Sequence, residues 1–360
     1  MAPLVAEGLP LRLKLRSRLQ ESVDGSQCVD LVECPSSRRL FVDKHTLMTS
    51  ASSESRAAAL QELDLHLSVR DTEHIVQLER YALQDERLHV LHEHCARGDL
   101  LQVMQQELRL QTAGLPSHDA LVTTCSDTGR RRVFTDVLRG VQALHAASIA
   151  HLDLSPENVF LTAAGVAKVG DLGHARRFQP NQPSGRVLQV AKEAYAAPEL
   201  LLSTEVKDLR KADAWALGVI LWTMCTKRAL VRRASSDCDP LFRRMAERGT
   251  AAALRETGLL GQMSVELTHL LVGLLDVNPK SRMSVEAALQ HPWVLQSTSG
   301  KTVKLQPRRR ASVSSMLKKK GEELLKKRQS SSKGSRGRTA SAEIELESTR
   351  VALVARSPAQ

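Results

Sequence analysis

The stretch from His151 to Gly173, HLDLSPENVFLTAAGVAKVGDLG, constrains this chain more than any other. An acid stands at Asp153, a carboxamide five residues later at Asn158, and a second acid thirteen residues beyond that at Asp171. Between them, VFL and the alternation in AAGVAKVGDLG predict two short strands joined by a turn near Gly165. A hairpin flanked in this way brings the three side chains to one edge. Two carboxylates and an amide converging there can bind a divalent metal and accept a proton from a hydroxyl.

The stretch resembles the catalytic and metal-binding loops of protein kinases, whose patterns are H-R-D-L-x-x-x-N and D-F-G. Here they stand as HLDLSPEN, from His151 to Asn158, and DLG, from Asp171 to Gly173, followed by Ala197, Pro198 and Glu199. The resemblance covers about residues 11–296. It implies an α+β, bilobal protein-kinase-like fold, with a small β-rich N-lobe carrying helix C (about 11–93) and a larger, mainly helical C-lobe (about 96–296). Residues 1–10 are then an N-terminal extension and 297–360 a basic tail.

Leu11, Leu13 and Leu15 alternate with Arg12, Lys14 and Arg16, which predicts a half-buried strand rather than a transit peptide. SVDGSQCV ends at Val29, and Lys44 follows fifteen residues later in LFVDK. The spacing from valine to lysine fits the kinase pattern, but Ser22, Asp24 and Gln27 fill the three glycine positions and only Gly25 lies among them. A helix is expected to begin after Ser52 or Ser53, with Leu60, Leu63 and Leu67 on one face. By resemblance Glu62 on that helix pairs with Lys44; Asp64 or Glu54 serves only under a different helix rotation. Two strands around a turn at Gln84–Asp85 follow. His92 would then be the gatekeeper, Glu93, His94 and Cys95 the hinge that meets adenine, and Asp99 the acid near ribose.

Residues 111–130 are turn-rich and predict a loop. Val133, Val137, Val141 and Leu144 form a helical stripe over Arg131 to Ala147. KADAWALGVILWTMC is apolar on most sides and predicts a buried helix. By resemblance its Asp213 braces the catalytic-loop backbone, and Arg282 pairs with Glu199. The segment from Gly173 to Ala197 would be the activation segment.

The resemblance implies transfer of the γ-phosphoryl group of ATP to a serine or threonine hydroxyl of a protein. Asp153 would orient and deprotonate the acceptor, Asn158 and Asp171 would hold Mg²⁺, and Lys44, fixed by Glu62, would position the nucleotide with Val29, Glu93, Cys95 and Asp99 around it. Three departures stand against this pattern. The glycines are missing, Ser155 replaces a catalytic-loop lysine two residues after the aspartate, and Leu152 replaces the arginine that reads activation-loop phosphate. Lys192 stands near where a threonine usually braces the base, a position from which it could replace the lost cation. The alternative is a pseudokinase, a scaffold or regulatory binding module of the same shape.

Residues 301–360 hold 16 Lys and Arg against 5 Asp and Glu, so they carry the whole net charge of +11, and residues 1–300 are neutral. The tail could contact nucleic acid or an anionic membrane surface. Ser312 and Ser341 follow arginines in a way that suits basophilic kinases. Cys28, Cys34, Cys95, Cys125, Cys225 and Cys238 show no C-x-x-C spacing and predict free thiols in a reducing compartment, cytoplasmic or nuclear. The longest core-like run without charge, Ala214 to Thr226, has 13 residues and is too short to cross a bilayer.

Overall fold

The computed structural model describes residues 12–49, 51–114 and 124–296. The expected extension, 1–10, and tail, 297–360, lie outside the described residues, as do Leu11, Ser312 and Ser341. The chain begins with β1 (Lys14–Glu21), β2 (Gln27–Glu33) and β3 (Leu40–Leu47), then α1 (Ser53–Leu67), β4 (Leu78–Gln84) and β5 (Arg87–Glu93). The strands form one antiparallel sheet in the order β1-β2-β3-β5-β4.

Ser52 caps α1 by accepting from Ser55 N at 3.1 Å. Leu60, Leu63 and Leu67 lie on one face, as expected, and pack on Leu78, Leu88 and Val90 of the sheet. The β4–β5 turn sits one residue later than the sequence suggested. Asp85 and Glu86 both take positive φ, 48° and 60°, the backbone that a tight hairpin turn needs.

β1 differs from expectation. All eight of its residues are exposed, with Leu15 and Leu19 each at 55%. Leu13, just before the strand, is half-buried against Val32, Phe41 and Leu91 as expected, but Leu15 and Leu19 meet no covering layer among the described residues. The strand is held through Arg16 and Arg18, which pair with Glu33 and Asp30 of β2.

The second part is mainly helical. α2 (Leu100–Thr112) and α3 (Asp127–Ala146) precede the short strands β6 (Ile149–Ala150), β7 (Val159–Leu161), β8 (Ala167–Val169), β9 (Arg176–Arg177) and β10 (Gly185–Arg186). α4 (Pro198–Leu202), β11 (Glu205–Val206) and α5 (Leu209–Thr226) follow, then α6 (Pro240–Arg248), α7 (Thr250–Glu256), α8 (Val265–Leu274), α9 (Val285–Leu289) and α10 (Pro292–Leu295). The turn-rich 111–130 segment is shorter than expected. α2 runs to Thr112, and α3 starts at Asp127 behind a Ser126 cap that accepts from Gly129 N at 3.0 Å.

α5 is the buried axis of this part, with Trp215, Leu217, Ile220 and Leu221 sealed from solvent. A Cβ on Gly218 would meet Leu275 at 2.9 Å and Leu274 at 3.0 Å, so the glycine lets α8 and the residue after it approach. Arg282 is fully buried and bidentate to Glu199, at 2.6 and 2.9 Å. Its remaining donors meet the carbonyls of Lys211 and Asp276. Among the described residues no helix is long and apolar enough to cross a membrane.

Removing one partner of a buried ion pair strands the other. Glu199→Ala should therefore lower unfolding free energy by about 3–5 kcal/mol, read as a lower urea midpoint, while a rim pair such as Arg248–Glu256 should cost roughly 1 kcal/mol or less.

Candidate active site

β3 presents Lys44 opposite Val29 on β2 and Val90 on β5. Its ammonium lies 2.8 Å from each carboxylate oxygen of Glu62 on α1 and 3.2 Å from Asp171 Oδ1. Burial disfavours the ammonium, but the two carboxylates outweigh burial and push Lys44 above its ordinary pKa. Burial likewise raises Asp171, yet the charge and hydrogen bond of Lys44 prevail and hold it well below the usual carboxylate range. Glu62 goes the other way, raised by burial and by the Asp171 charge against the pull of Lys44. One cation between two acids leaves the cluster with surplus negative charge, which favours a further cation beside it.

Below this cluster the loop from His151 to Asn158 is held by Asp213 of α5. Its carboxylate accepts from His151 N at 2.9 Å and Leu152 N at 2.8 Å and pairs with His145 Nε2 at 2.8 Å. Leu152 sits at φ +64°, a left-handed conformation that costs a leucine about 1–2 kcal/mol. Charge-assisted bonds from the His151 and Leu152 amides to the Asp213 carboxylate offset that cost. His151 donates from Nε2 to Gly170 O at 3.0 Å and accepts at Nδ1 from Asp153 N at 3.2 Å. It thereby ties the loop to the strand end that carries Asp171.

Asp153 is buried. Its Oδ2 accepts from Asn158 Nδ2 at 2.9 Å and from Lys192 Nζ at 3.1 Å. Its Oδ1 is sealed from solvent and has no hydrogen-bond partner among the described residues. Asn158 Nδ2 also donates to Asp153 O at 2.8 Å, so the amide is turned with its oxygen left for another partner. Asn158 O accepts from Gly170 N at 3.0 Å. Contacts thus join Lys44, Glu62 and Asp171 in one group and Asp153, Asn158 and Lys192 in another, with the His151–Gly170–Asn158 backbone between them. No group of three His, Cys, Asp or Glu among the described residues forms a metal site by itself. Asp171 with the Asn158 oxygen fits Mg²⁺, which commonly takes one or two protein oxygens and completes its shell with phosphate and water.

The other expected site residues stand apart from these contacts. Val29 is half-buried. Glu93 ends β5 with its side chain on Lys168 and on Gln77 N, and its own N–H donates to Gln77 O. Cys95 is buried, and burial first, then the Glu93 charge, pushes its thiol up to about 12. Asp99 caps α2, accepting from Gln102 N at 2.8 Å, with its pKa raised by burial. In the β1–β2 turn Asp24 Oδ1 accepts from Ser22 Oγ, Ser26 N and Ser26 Oγ, at 2.6, 3.1 and 2.8 Å. These bonds lower its pKa to about 2. Gly25, at φ +66°, completes a turn closed upon itself.

Two features had no signal in the sequence. Gln61 Nε2 donates to Ala175 O at 3.1 Å, and Arg177 reaches Asp64 at 3.0 Å and Ser68 Oγ at 2.8 Å, fastening α1 to the segment after Asp171. Asp64 is thus turned away from Lys44, and Glu54 is exposed at the start of the helix. His92 Nε2 and His66 Nδ1 lie 3.2 Å apart, both buried. Burial, with Lys44 nearby, pushes His66 down to about 4, and burial first, then the neighbouring His66 ring, holds His92 well below its ordinary value.

The family described as "Protein kinase domain" matches residues 26–294. The chain is 31% identical over 260 residues to CBL-interacting protein kinase 4 of Oryza sativa subsp. japonica, covering 72% of this chain and 52% of that one. It is 29% identical over 287 residues to serine/threonine-protein kinase Nek4 of Mus musculus, covering 77% and 33%. It is 31% identical over 173 residues to serine/threonine-protein kinase chk1 of Schizosaccharomyces pombe, covering 47% and 33%. The matched segment therefore spans from a third to about half of the length of these relatives.

The buried histidine pair sets a pH dependence. Both rings are neutral when folded and bind protons near pH 6.5 when unfolded, so stability is full above about 6.5 and falls with pH towards about 4. At pH 5 His66 should account for roughly 2 kcal/mol of lost stability, with His92 acting in the same direction. His66→Leu should flatten the difference in urea stability between pH 7 and pH 5 by about that amount.

Proposed function

The chain belongs to the protein kinase family, and we propose that it transfers the γ-phosphoryl group of ATP to serine or threonine hydroxyls of protein substrates. One observation carries the reading: Lys44 is gripped by Glu62 and Asp171 while Asp153, on the adjoining loop, is joined to Asn158 and Lys192. Asp153 is the group that would orient the acceptor hydroxyl and take its proton as it attacks. Glu62 fixes the rotamer of Lys44, which positions the α- and β-phosphates. Asp171 and the Asn158 oxygen would hold Mg²⁺, which when bound offsets the charge growing on the phosphate oxygens. Val29 would cover the base, Glu93 and Cys95 would meet it through backbone groups, and Asp99 would face the ribose.

A second reading, a kinase-shaped binding module, is favoured by the β1–β2 turn. The Ser22 hydroxyl and the Ser26 amide and hydroxyl are spent on Asp24, and the carboxylate stays ionised near where phosphates would lie. Nucleotide handling separates the two. As an enzyme the full chain should gain on the order of a few degrees in Tm with saturating Mg-ATP. It should also move label from γ-labelled ATP onto casein or itself, with Asp153→Asn lowering transfer by roughly 10²–10⁴-fold. A scaffold shows no transfer from either protein.

Control of this activity would not need activation-segment phosphate, because Leu152 offers no guanidinium and Arg177 already pairs with Asp64. Phosphatase treatment of the purified chain should leave the transfer rate unchanged.

A further inference from the structure

We propose that Lys192 and Ser155 are a transposed pair, in which the cation that orients Asp153 arrives on the activation segment rather than on the catalytic loop. The inference rests on the kinase reading and deepens it. The resemblance sets a lysine two residues after the aspartate and a hydroxyl on the segment before Ala197. Here the two groups have changed places: the hydroxyl is Ser155 and the ammonium is Lys192.

The geometry shows what the exchanged groups do. Lys192 Nζ donates to Asp153 Oδ2 at 3.1 Å, beside Asn158 Nδ2 at 2.9 Å. With two donors on Oδ2, one of them charged, the carboxylate is held in one rotamer. Lys192 reaches this place from a fixed backbone. Its carbonyl accepts from Tyr195 N and Ala196 N, both at 3.1 Å, and the next residue, Glu193, pairs with Arg233 at 3.1 Å. Ser155 Oγ is fully buried and has no partner among the described residues, which leaves a hydroxyl in the loop where an ammonium is expected.

The exchange alters how the site is assembled. The cation meets the base only while residues 173–197 are seated. Gln61 to Ala175 and Arg177 to Asp64 seat the start of that segment and Glu193 to Arg233 seats the stretch beside Lys192, so lifting that stretch would withdraw Lys192 from Asp153. Lys192 is thus a positioning residue that couples segment order to the base.

The test uses the full chain, turnover of γ-labelled Mg-ATP onto casein or the chain itself, and Tm for each variant. Lys192→Met should lower kcat by on the order of a hundredfold or more with KM for ATP and Tm near wild type, and Lys192→Arg should retain more activity than the methionine variant. Ser155→Lys alone should also lose activity, since two ammonium groups would crowd one carboxylate. The double exchange Ser155→Lys with Lys192→Thr should recover activity above either single variant, a coupling that purely structural damage does not produce. Lys192→Met at wild-type kcat, or a folded double variant no better than Lys192→Thr alone, overturns the inference and leaves the enzyme reading intact. A wild-type chain that turns over no ATP overturns both.

Discussion

The ammonium of Lys44 is the point on which the rest of the arrangement turns. It joins a strand of the sheet, a helix and the loop after β8 through two carboxylates. The contact also fixes the rotation of α1, and the periodicity of the helix then assigns its other faces. Ala59 and Leu63, four residues apart, rest on the sheet. Glu62 and His66, also four apart, face the cleft and His92. Gln61, Asp64 and Ser68, spaced by three and four, face the segment beyond Asp171. A rotation that released Glu62 would break all three sets together.

The lower half of the site depends on α5 in the same way. Asp213 is almost fully buried, and each of its contacts lies on the loop before Asp153 or on the end of α3. It holds Leu152 in a backbone conformation that leucine avoids. The packing that buries α5, including the close approach at Gly218, therefore stands behind the placement of Asp153.

Much of this was legible because it is local or periodic. The two short strands around Gly165, the cap at Ser52, the stripe from Val133 to Leu144 and the apolar run of α5 all follow from side-chain spacing. What escaped depends on distance or on context. Arg177 and Asp64 lie 113 positions apart, and nothing near either residue marks the other. The alternation of β1 is the pattern of a half-buried strand, yet only the folded structure shows that Leu15 and Leu19 stay uncovered. The start of α3 was hidden by its polar first turn, although Ser126 followed by Asp127 is a readable cap. The β1–β2 turn could be seen to lack glycines, but not that Asp24 would gather its donors.

The fastening of α1 to the segment after Asp171 has a consequence for how such a protein could be governed. Its charges are those of unmodified side chains, cation on the segment and anion on the helix, so the working arrangement forms as the chain folds. Were the chain to act as a kinase, this contact would need no added charge to form, and what governs it would be whatever lifts the segment away.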